Sequence, residues 1–216
     1  MRTKICKLCF KEYKDYSLNS LFRKNISLCP DCQKKLEPKF IRFRVEGVDG
    51  TAIYEYNEDL KGLIYQFKGC YDFELKDIFL ERFKYELKLH FYDYLAVPVP
   101  SYSDDDVVRE FNHVEEAFKS LNMRYLKLIE KTERVKQSDR HQKERENIGD
   151  FLRISQNENL RGKKILLVDD IFTTGSTIKA CLKLLKSLNP KKIKVLVLCK
   201  VVGKEHMAKS NINKLY

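Results

Sequence analysis

One stretch near the carboxyl end, residues 163–201, constrains the fold more than any other part of the chain. It begins with a continuous apolar run, KKILLVDD, which is typical of a strand buried on both faces of a parallel sheet. The segment IFTTGST then predicts a tight turn, and residues 178–188 predict an amphipathic helix that stops at Asn189-Pro190. A second apolar run, KIKVLVLCKV, completes a βαβ unit, for which we expect the usual right-handed connection. The fold class is therefore expected to be α/β, with a parallel sheet flanked by helices.

Weaker patterns in the rest of the chain fit the same class. Residues 40–56 predict a hairpin with its turn at Val48-Asp49-Gly50, and helices are expected to start after Asn57 and after Asp72, the second reaching Phe91. The remaining expected elements are a strand at 94–100, a helix at 106–121, strands at 124–129 and 151–154, and a basic loop or solvated helix at 131–147. The expected units are a four-cysteine module at 1–36, a hairpin and helices leading into the core at 37–93, an α/β domain at 94–202 and a basic tail at 203–216.

Charge is distributed unevenly along the 216 residues. The net charge of +11 divides into +8 over residues 1–44, −9 over residues 45–120 and +12 over residues 121–216. Basic flanks around an acidic middle indicate a polyanionic partner such as nucleic acid, although a Lys-rich composition that only keeps the chain soluble is the alternative. No apolar run reaches the about 20 residues that cross a bilayer, and the polar N-terminus does not resemble a signal peptide. We therefore expect a soluble cytoplasmic protein.

Four of the seven cysteines form two CxxC pairs near the N-terminus. Cys6 and Cys9 make the first pair, and Cys29 and Cys32 make the second. Paired thiolates at this spacing are typical of a structural zinc site, with a redox pair or disulfide as the alternative. Because all four ligands would be cysteines, the metal would have no open position for catalysis. The three other cysteines (Cys70, Cys181 and Cys199) are expected to be small buried apolar residues, and the four histidines show no ligand spacing.

The basic residues of two segments are candidates for phosphate contacts. The aromatic residues between the CxxC pairs, Phe10, Tyr13, Tyr16 and Phe22, would either stack on bases or pack around the metal site. The candidate nucleic-acid contacts are Lys11, Lys14, Arg23 and Lys24 in the first segment and Lys131, Arg134, Lys136 and Arg140 in the second.

The end of the first strand of the βαβ unit carries the richest chemistry. Asp169 and Asp170 lie at its carboxyl end, where α/β sheets place their ligands, and they suit ribose hydroxyls or a Mg²⁺ held through water. The hydroxyl-rich turn that follows leads into a helix, whose N-terminal N–H groups attract a phosphate dianion. Neither GxGxxG nor GxxxxGK[ST] occurs in the sequence. The candidate site residues are Asp169, Asp170, Ile171, Phe172, Thr173, Thr174, Gly175, Ser176 and Thr177.

The segment VDDIFTTGST resembles the phosphoribosyl-pyrophosphate (PRPP) motif of type I phosphoribosyltransferases. Together with the four-cysteine module, it makes the chain similar to the ComF family of late competence proteins. VPVPS at 97–101, Arg109-Glu-Phe-Asn112 and the stretch from Lys131 to Phe151 match further family segments in the right order. The resemblance implies a phosphoribosyltransferase-like domain in which the two aspartates hold the ribose hydroxyls, residues 173–177 hold the 5′-phosphate, and Ser101 begins a loop near the pyrophosphate.

The same resemblance implies a function in DNA uptake. Such a protein would bind single-stranded DNA and PRPP or a related ribose phosphate, with Mg²⁺ accompanying PRPP, and would work beside a competence helicase at the DNA-uptake machinery, without inserting into the membrane. An active phosphoribosyltransferase and a zinc-ribbon adaptor with a vestigial pocket are the alternatives. Residues 104–106 are acidic where the family is basic, and Glu110 replaces a family glycine, so the sequence favours binding over efficient transfer. No catalytic base is assigned.

Overall fold

The computed structural model describes residues 3–14, 27–100, 111–131, 151–155 and 158–202. Its strands are β1 (Lys4–Ile5), β2 (Glu12–Tyr13), β3 (Ile41–Val45), β4 (Val48–Glu55), β5 (Tyr94–Pro98), β6 (Ile129–Lys131), β7 (Leu152–Ile154), β8 (Lys164–Phe172) and β9 (Lys192–Lys200). Its helices are α1 (Pro30–Lys35), α2 (Glu58–Gly69), α3 (Lys84–His90), α4 (His113–Phe118) and α5 (Ser176–Ser187), with short 3-10 helices at Phe73–Asp77 and Lys119–Leu121.

A five-stranded sheet with the order β3-β4-β9-β8-β5 forms the centre of the fold. β3 pairs antiparallel with β4, and the other neighbours pair in parallel, so the sheet is mixed but mostly parallel. β8 and β9 lie side by side in the middle, joined through α5, which confirms the predicted βαβ unit. β8 runs to Phe172, so Ile171 and Phe172 belong to the strand and the turn is shorter than predicted.

Apolar side chains cover both faces of the sheet, because side chains alternate between the two faces of a strand. Leu166, Val168, Leu196 and Leu198 face a cluster that contains the apolar residues of α2 and α3. Their neighbours on β8 and β9 face a second cluster that contains the apolar side of α5. The carboxyl ends of β8 and β9 therefore emerge between helices of both layers.

The predicted hairpin is present, but its turn lies two residues earlier than expected. Glu46 and Gly47 form the turn with φ of 50° and 74°, while Val48, Asp49 and Gly50 belong to β4. Two consecutive residues with positive φ match the twist of the paired strands, which explains why this two-residue turn is favoured. Gly50 instead lies beneath the ring of Phe43, where a Cβ would collide with it.

The continuous helix predicted from Asp72 to Phe91 is wrong. The chain forms the 3-10 helix at Phe73–Asp77, then turns, and becomes α-helical only in α3. Three consecutive residues, Ile78, Phe79 and Leu80, are all at most 1% exposed. Successive residues on an α-helix point about 100° apart, so a helix could not turn all three into the same core.

Two other element predictions need correction. Of the strand expected at 124–129, only Ile129 lies in a strand, as the first residue of β6, which pairs with β7, whereas Tyr125 makes only an isolated bridge to Ala96. The predicted strand at 151–154 is confirmed as β7. Within the described part of the helix expected at 106–121, α4 starts at His113 and the 3-10 helix ends at Leu121, which is followed by Asn122 with φ of 50°.

The predicted domain boundaries remain predictions. Among the helices in the described ranges, none has both the length and the apolar character needed to span a bilayer.

Candidate functional site

Asp170 lies near the carboxyl end of β8, at the edge where the parallel strands finish, and two helices converge on it. Its side chain is buried, and Oδ2 accepts a hydrogen bond from Lys68 Nζ at 2.9 Å and contacts His113 Nε2 at 3.2 Å. Lys68 belongs to the last turn of α2, and His113 is the first residue of α4. Asn112 fixes that helix start because its Oδ1 accepts a hydrogen bond from the N–H of Glu115 at 2.9 Å.

The two adjacent carboxyl groups differ in their electrostatics. Burial by itself raises the pKa of Asp170, but the hydrogen bond from His113 and the charge of Lys68 outweigh it and hold that pKa below its ordinary value. Burial, and then the negative charge of Asp170, raise the pKa of Asp169 well above its ordinary value. The pair therefore presents a fixed carboxylate beside a carboxyl group that holds its proton to higher pH, and both kinds of group form hydrogen bonds with sugar hydroxyls.

The phosphate loop, Thr173–Thr177, follows β8 directly. Thr173 and Thr174 are exposed, and the hydroxyls of Thr174 and Ser176 lie 2.9 Å apart. Gly175 has φ of 74°, and a Cβ there would stand 2.6 Å from the ring of Phe172. Glycine is thus required twice, for its left-handed backbone and for the close approach of the ring.

The loop ends at the N-terminus of α5. The N–H of Lys179 donates to the carbonyl of Gly175 at 2.8 Å and closes the first helical turn. The N–H groups of Ser176, Thr177 and Ile178 precede the intrahelical bonds at this helix end, and that of Ser176 donates to Thr174 Oγ1 at 3.5 Å. Together with the threonine and serine hydroxyls, they form a concentration of donors suited to a phosphate group.

The structure therefore brings together the predicted residues from Asp169 to Thr177 along one strand end, one loop and one helix start. Ser101, the other predicted residue of this site, lies outside the described residues. Sequence reasoning missed Lys68 and His113, which reach Asp170 from 102 and 57 residues away. The only local signal was the Asn112 cap, which fixes where His113 starts its helix.

The four cysteines of the N-terminal pairs form a second candidate site. Their sulfur atoms all lie within 4.8 Å of one another, and Cys9 Sγ and Cys29 Sγ are 3.7 Å apart. Four sulfurs arranged tetrahedrally at about 2.3 Å from a zinc ion would be about 3.8 Å apart, so the donor set fits that metal. The cluster can thus hold a metal ion such as zinc.

Backbone groups in this cysteine cluster favour the thiolate form of Cys6. Cys6 Sγ accepts a hydrogen bond from the N–H of Cys29 at 3.3 Å. Burial acts to raise the pKa of Cys6, but this and other hydrogen bonds outweigh it and lower that pKa to about 7. Burial, with hydrogen bonds to Cys29 and the other cysteines, raises the pKa of Cys32 above its ordinary value. A cation at the centre would stabilise all four thiolates together.

The cysteine cluster packs directly against the main core. Cys6, Cys29 and Cys32 belong to the same apolar cluster as Phe79 and Leu80. Glu81, which is 7% exposed, accepts hydrogen bonds from the backbone N–H and the hydroxyl of Ser27, and Lys7 forms an ion pair with Glu74 at 3.0 Å. Burial first, partly offset by Ser27, raises the pKa of Glu81.

The predicted nucleic-acid contacts are only partly described. Lys11 and Lys14 are exposed, and Phe10 is 72% exposed, whereas Tyr13 is buried in the core and does not present its ring for stacking. Lys131 is half-buried at the end of β6. The other predicted contacts, which lie outside the described residues, are Arg23, Lys24, Arg134, Arg140 and Lys136.

Of the predictions for the three remaining cysteines, two are confirmed and one is wrong. Cys181 and Cys199 are fully buried, as expected. The prediction that Cys70 is buried is wrong, because the residue follows the last turn of α2 at the surface, where its N–H caps the carbonyl of Tyr65.

Comparison with known proteins finds relatives of this chain. The family described as phosphoribosyl transferase domain matches residues 105–214. Competence protein ComFC of Streptococcus pneumoniae is 34% identical over 173 residues, which cover 77% of each chain. Competence protein ComFC of Bacillus subtilis is 25% identical over 154 residues, which cover 70% of this chain and 63% of that protein.

Solved structures that align with the chain include two proteins of phosphoribosyl metabolism. Adenine phosphoribosyltransferase from Saccharomyces cerevisiae aligns with a TM-score of 0.41 and 14% identity, over 80% of this chain and 90% of that one. Phosphoribosylpyrophosphate synthetase from Mycobacterium smegmatis aligns with a TM-score of 0.37 and 20% identity, over 57% of this chain and 34% of that one.

The family match and the identity to the pneumococcal protein agree with the mostly parallel sheet and its βαβ unit. The chain belongs to the ComF family of competence proteins and has a type I phosphoribosyltransferase-like fold with a cysteine cluster near its N-terminus.

Proposed function

We propose that this protein serves DNA uptake in natural transformation by binding single-stranded DNA and a phosphorylated ribose, PRPP or a close relative. The observation that carries the proposal is the phosphate loop: exposed hydroxyls and helix N–H groups lie directly beside two carboxyl groups of contrasting charge. A 5′-phosphate fits the donors, and ribose hydroxyls fit the carboxyl groups.

In this proposal each group of the site has its own part. Thr173 to Thr177 hold the phosphate, and Asp169 and Asp170 hold the ribose hydroxyls. Lys68 and His113 keep Asp170 ionised and fixed in position. Mg²⁺ would accompany the pyrophosphate of PRPP and would offset its charge near the carboxyl groups.

The cysteine cluster is proposed to hold a structural zinc ion. Its four sulfurs supply a complete ligand set, which leaves no position for a reacting group. Exposed Lys11, Lys14 and Phe10 beside the cluster are proposed to contact DNA, together with the basic residues that follow Lys131. A competence helicase is proposed as the protein partner, on the strength of the family.

The ribose-phosphate proposal is tested by thermal unfolding with PRPP and Mg²⁺. A ligand at about 100 times its Kd stabilises the folded state by about 2.7 kcal/mol, which would raise the melting temperature by several degrees. Thr174→Glu places a negative charge in the exposed loop and should abolish the rise. Ser187→Glu adds the same charge at the exposed far end of α5 and should retain it. An unchanged melting temperature in the parent protein, or an equal rise in the Thr174→Glu variant, would overturn the proposal.

The DNA proposal is tested by measuring oligonucleotide affinity against salt concentration. Phosphate contacts release counterions, so the affinity should fall steeply as salt increases. Lys11→Glu with Lys14→Glu should weaken binding more than Lys34→Glu with Lys35→Glu, a matched reversal of two exposed charges on α1. Equal losses in the two double variants would reject the assignment to Lys11 and Lys14, and absence of binding at low salt would reject DNA binding.

A second candidate function is phosphoribosyl transfer, which the match to the phosphoribosyl transferase domain favours. In that case an acceptor would attack C1 of PRPP, the bond from C1 to the pyrophosphate oxygen would break, and pyrophosphate would leave. Release of pyrophosphate that depends on an added nucleobase or amine would establish transfer. Binding of PRPP without such release would leave the binding function.

A further inference from the structure

A group of cations lies at the opposite edge of the sheet from the phosphate loop, where β8 and β9 begin. Lys164 on β8 pairs in register with Lys192 on β9, so that their side chains share a face, and Lys194 lies two residues further along β9 on the same face. β8 places Lys164 about 26 Å from Phe172, at about 3.3 Å for each residue. We call this group the amino-edge surface; it consists of Arg42, His90, Lys164, Lys191, Lys192 and Lys194.

The charges of this surface crowd one another. Lys194 Nζ donates a hydrogen bond to His90 Nε2 at 3.1 Å, so the partner of this ammonium group is an imidazole rather than a carboxylate. Burial, and then the charges of Lys192, Arg42 and Lys164, lower the pKa of Lys194, against one opposing carboxylate, Asp49. Burial and the same kind of repulsion lower the pKa of His90. Asp93 offsets part of the charge through its ion pair with Lys164.

Exposed apolar side chains lie on α3, which also carries His90, and on the segment that follows it. Tyr92 is 78% exposed and interacts electrostatically with Lys164. Tyr85 and Leu89, on the outer side of α3, are 62% and 76% exposed, and the Lys84 ammonium lies 5.2 Å from the centre of the Tyr85 ring. Exposed aromatic rings near a group of cations are typical of proteins that track a single-stranded backbone while bases stack on the rings.

We propose that the amino-edge surface binds single-stranded DNA, with its lysines on the phosphates and Tyr92 stacked on a base. The inference rests on the proposed function, since it names a contact surface for the DNA, and this surface consists of other residues than those proposed beside the cysteine cluster. An acidic protein segment would meet the lysines but would gain little from the exposed rings, so the combination favours DNA. The surface lies at the amino ends of β8 and β9, and the phosphate loop follows the carboxyl end of β8. DNA and PRPP would therefore bind without competing.

The experiment uses the full chain and a fluorescent oligothymidylate, with binding followed by anisotropy over a salt series. Lys191→Glu with Lys192→Glu changes two exposed lysines and should lower the salt slope by about 1.4, at about 0.7 for each phosphate that the variant no longer neutralises. Tyr92→Ala should weaken binding by about tenfold with little change in slope. Lys183→Glu with Lys186→Glu is the matched control, because it reverses two exposed charges on α5, on the other face of the sheet.

Each outcome decides between defined alternatives. A larger reduction of affinity in the amino-edge variant than in the control, with melting temperatures that match, supports the proposal, and saturating PRPP should leave DNA affinity unchanged. Equal reductions in the two double variants would show a general charge effect and would overturn the proposal, while the DNA function would stand. A parent protein without affinity for the oligonucleotide would overturn both DNA proposals, and the thermal test with PRPP would judge the ribose-phosphate site separately.

Discussion

At the scale of single residues, Asp169 and Asp170 show how neighbouring carboxyl groups acquire different properties. Lys68 and His113 stabilise the ionised form of Asp170. Burial and the negative charge of Asp170 disfavour the ionised form of Asp169. The sequence predicts that both aspartates belong to the site, because they end a buried strand. It does not predict the difference between them, because the partners of Asp170 come from distant helices whose packing no local pattern encodes.

The raised pKa of Asp169 makes the stability of the protein depend on pH. The folded state binds this proton more tightly than the unfolded state, in which the pKa is about 3.9. The stabilisation that comes from the proton on Asp169 is therefore fully present in the free energy of unfolding below about pH 3.9. It is lost as pH rises through the raised pKa of the folded state. Asp169→Asn should remove this decline, so the variant gains stability over the parent by up to about 1.4 kcal/mol for each pH unit in that window. Urea unfolding between pH 4 and pH 8 measures it.

The control for this prediction is Asp59→Asn, which changes an exposed carboxylate on α2. This variant should not show the gain in stability with rising pH that is expected of Asp169→Asn. A constant difference between the parent and Asp169→Asn would show that the proton on Asp169 is not linked to folding.

His113 is expected to stabilise the fold through Asp170. His113→Leu removes a partner from a buried carboxylate and should lower the free energy of unfolding by about 3 kcal/mol. His113→Gln retains a donor and should cost clearly less, which distinguishes hydrogen bonding from the filling of space. Urea unfolding at neutral pH provides the measurement, and equal costs for the two variants would argue against the hydrogen bond.

At the scale of elements, the βαβ unit could be predicted because its strands and helix carry strong and different apolar periods. The sequence pattern predicts the position of the hairpin turn and the course of the chain after Asp72 less accurately. In the hairpin, the left-handed pair Glu46-Gly47 makes the turn, although Asp49-Gly50 is the more conspicuous turn sequence. In the helix, the need to bury Ile78, Phe79 and Leu80 together outweighs the helical spacing around them.

Two glycines allow the phosphate loop to be tested as an element. Gly47 and Gly175 both have φ of 74°, but a Cβ at Gly47 meets nothing within 4 Å, whereas one at Gly175 would collide with Phe172. Gly47→Ala should cost about 1 kcal/mol for the backbone alone. Gly175→Ala should cost more and should also reduce the thermal shift produced by PRPP, because the loop must change shape. Equal costs in chemical unfolding would show that Phe172 moves aside easily.

At the scale of the whole molecule, the cysteine cluster and the sheet share one apolar core. Spacing alone predicts the four ligands, but it does not predict how the module packs against the rest, since Ser27 meets Glu81 across 54 residues. A core shared in this way should unfold as one cooperative unit. If the cluster holds a metal ion, its loss is then expected to weaken the whole described fold and not only the N-terminal segment.

Cys29→Ser tests this expectation. The variant should bind less than one zinc ion per chain and should melt at a lower temperature in a single transition, because its cluster is continuous with Phe79 and Leu80. Cys70→Ser is the control, since Cys70 is exposed and lies outside the cluster, and it should leave both zinc content and melting unchanged. Separate transitions for the module and the sheet would contradict the shared core.

The ring of Phe172 has a further consequence. It lies beneath Gly175 on one side and against Phe43 of the edge hairpin on the other, with ring centres 4.5 Å apart. The hairpin therefore supports the conformation of the phosphate loop indirectly, through the contact of Phe43 with Phe172. Among relatives of this protein, we expect the identities of positions 43 and 172 to vary together, so that natural variation in the hairpin would follow the conformation of the phosphate loop.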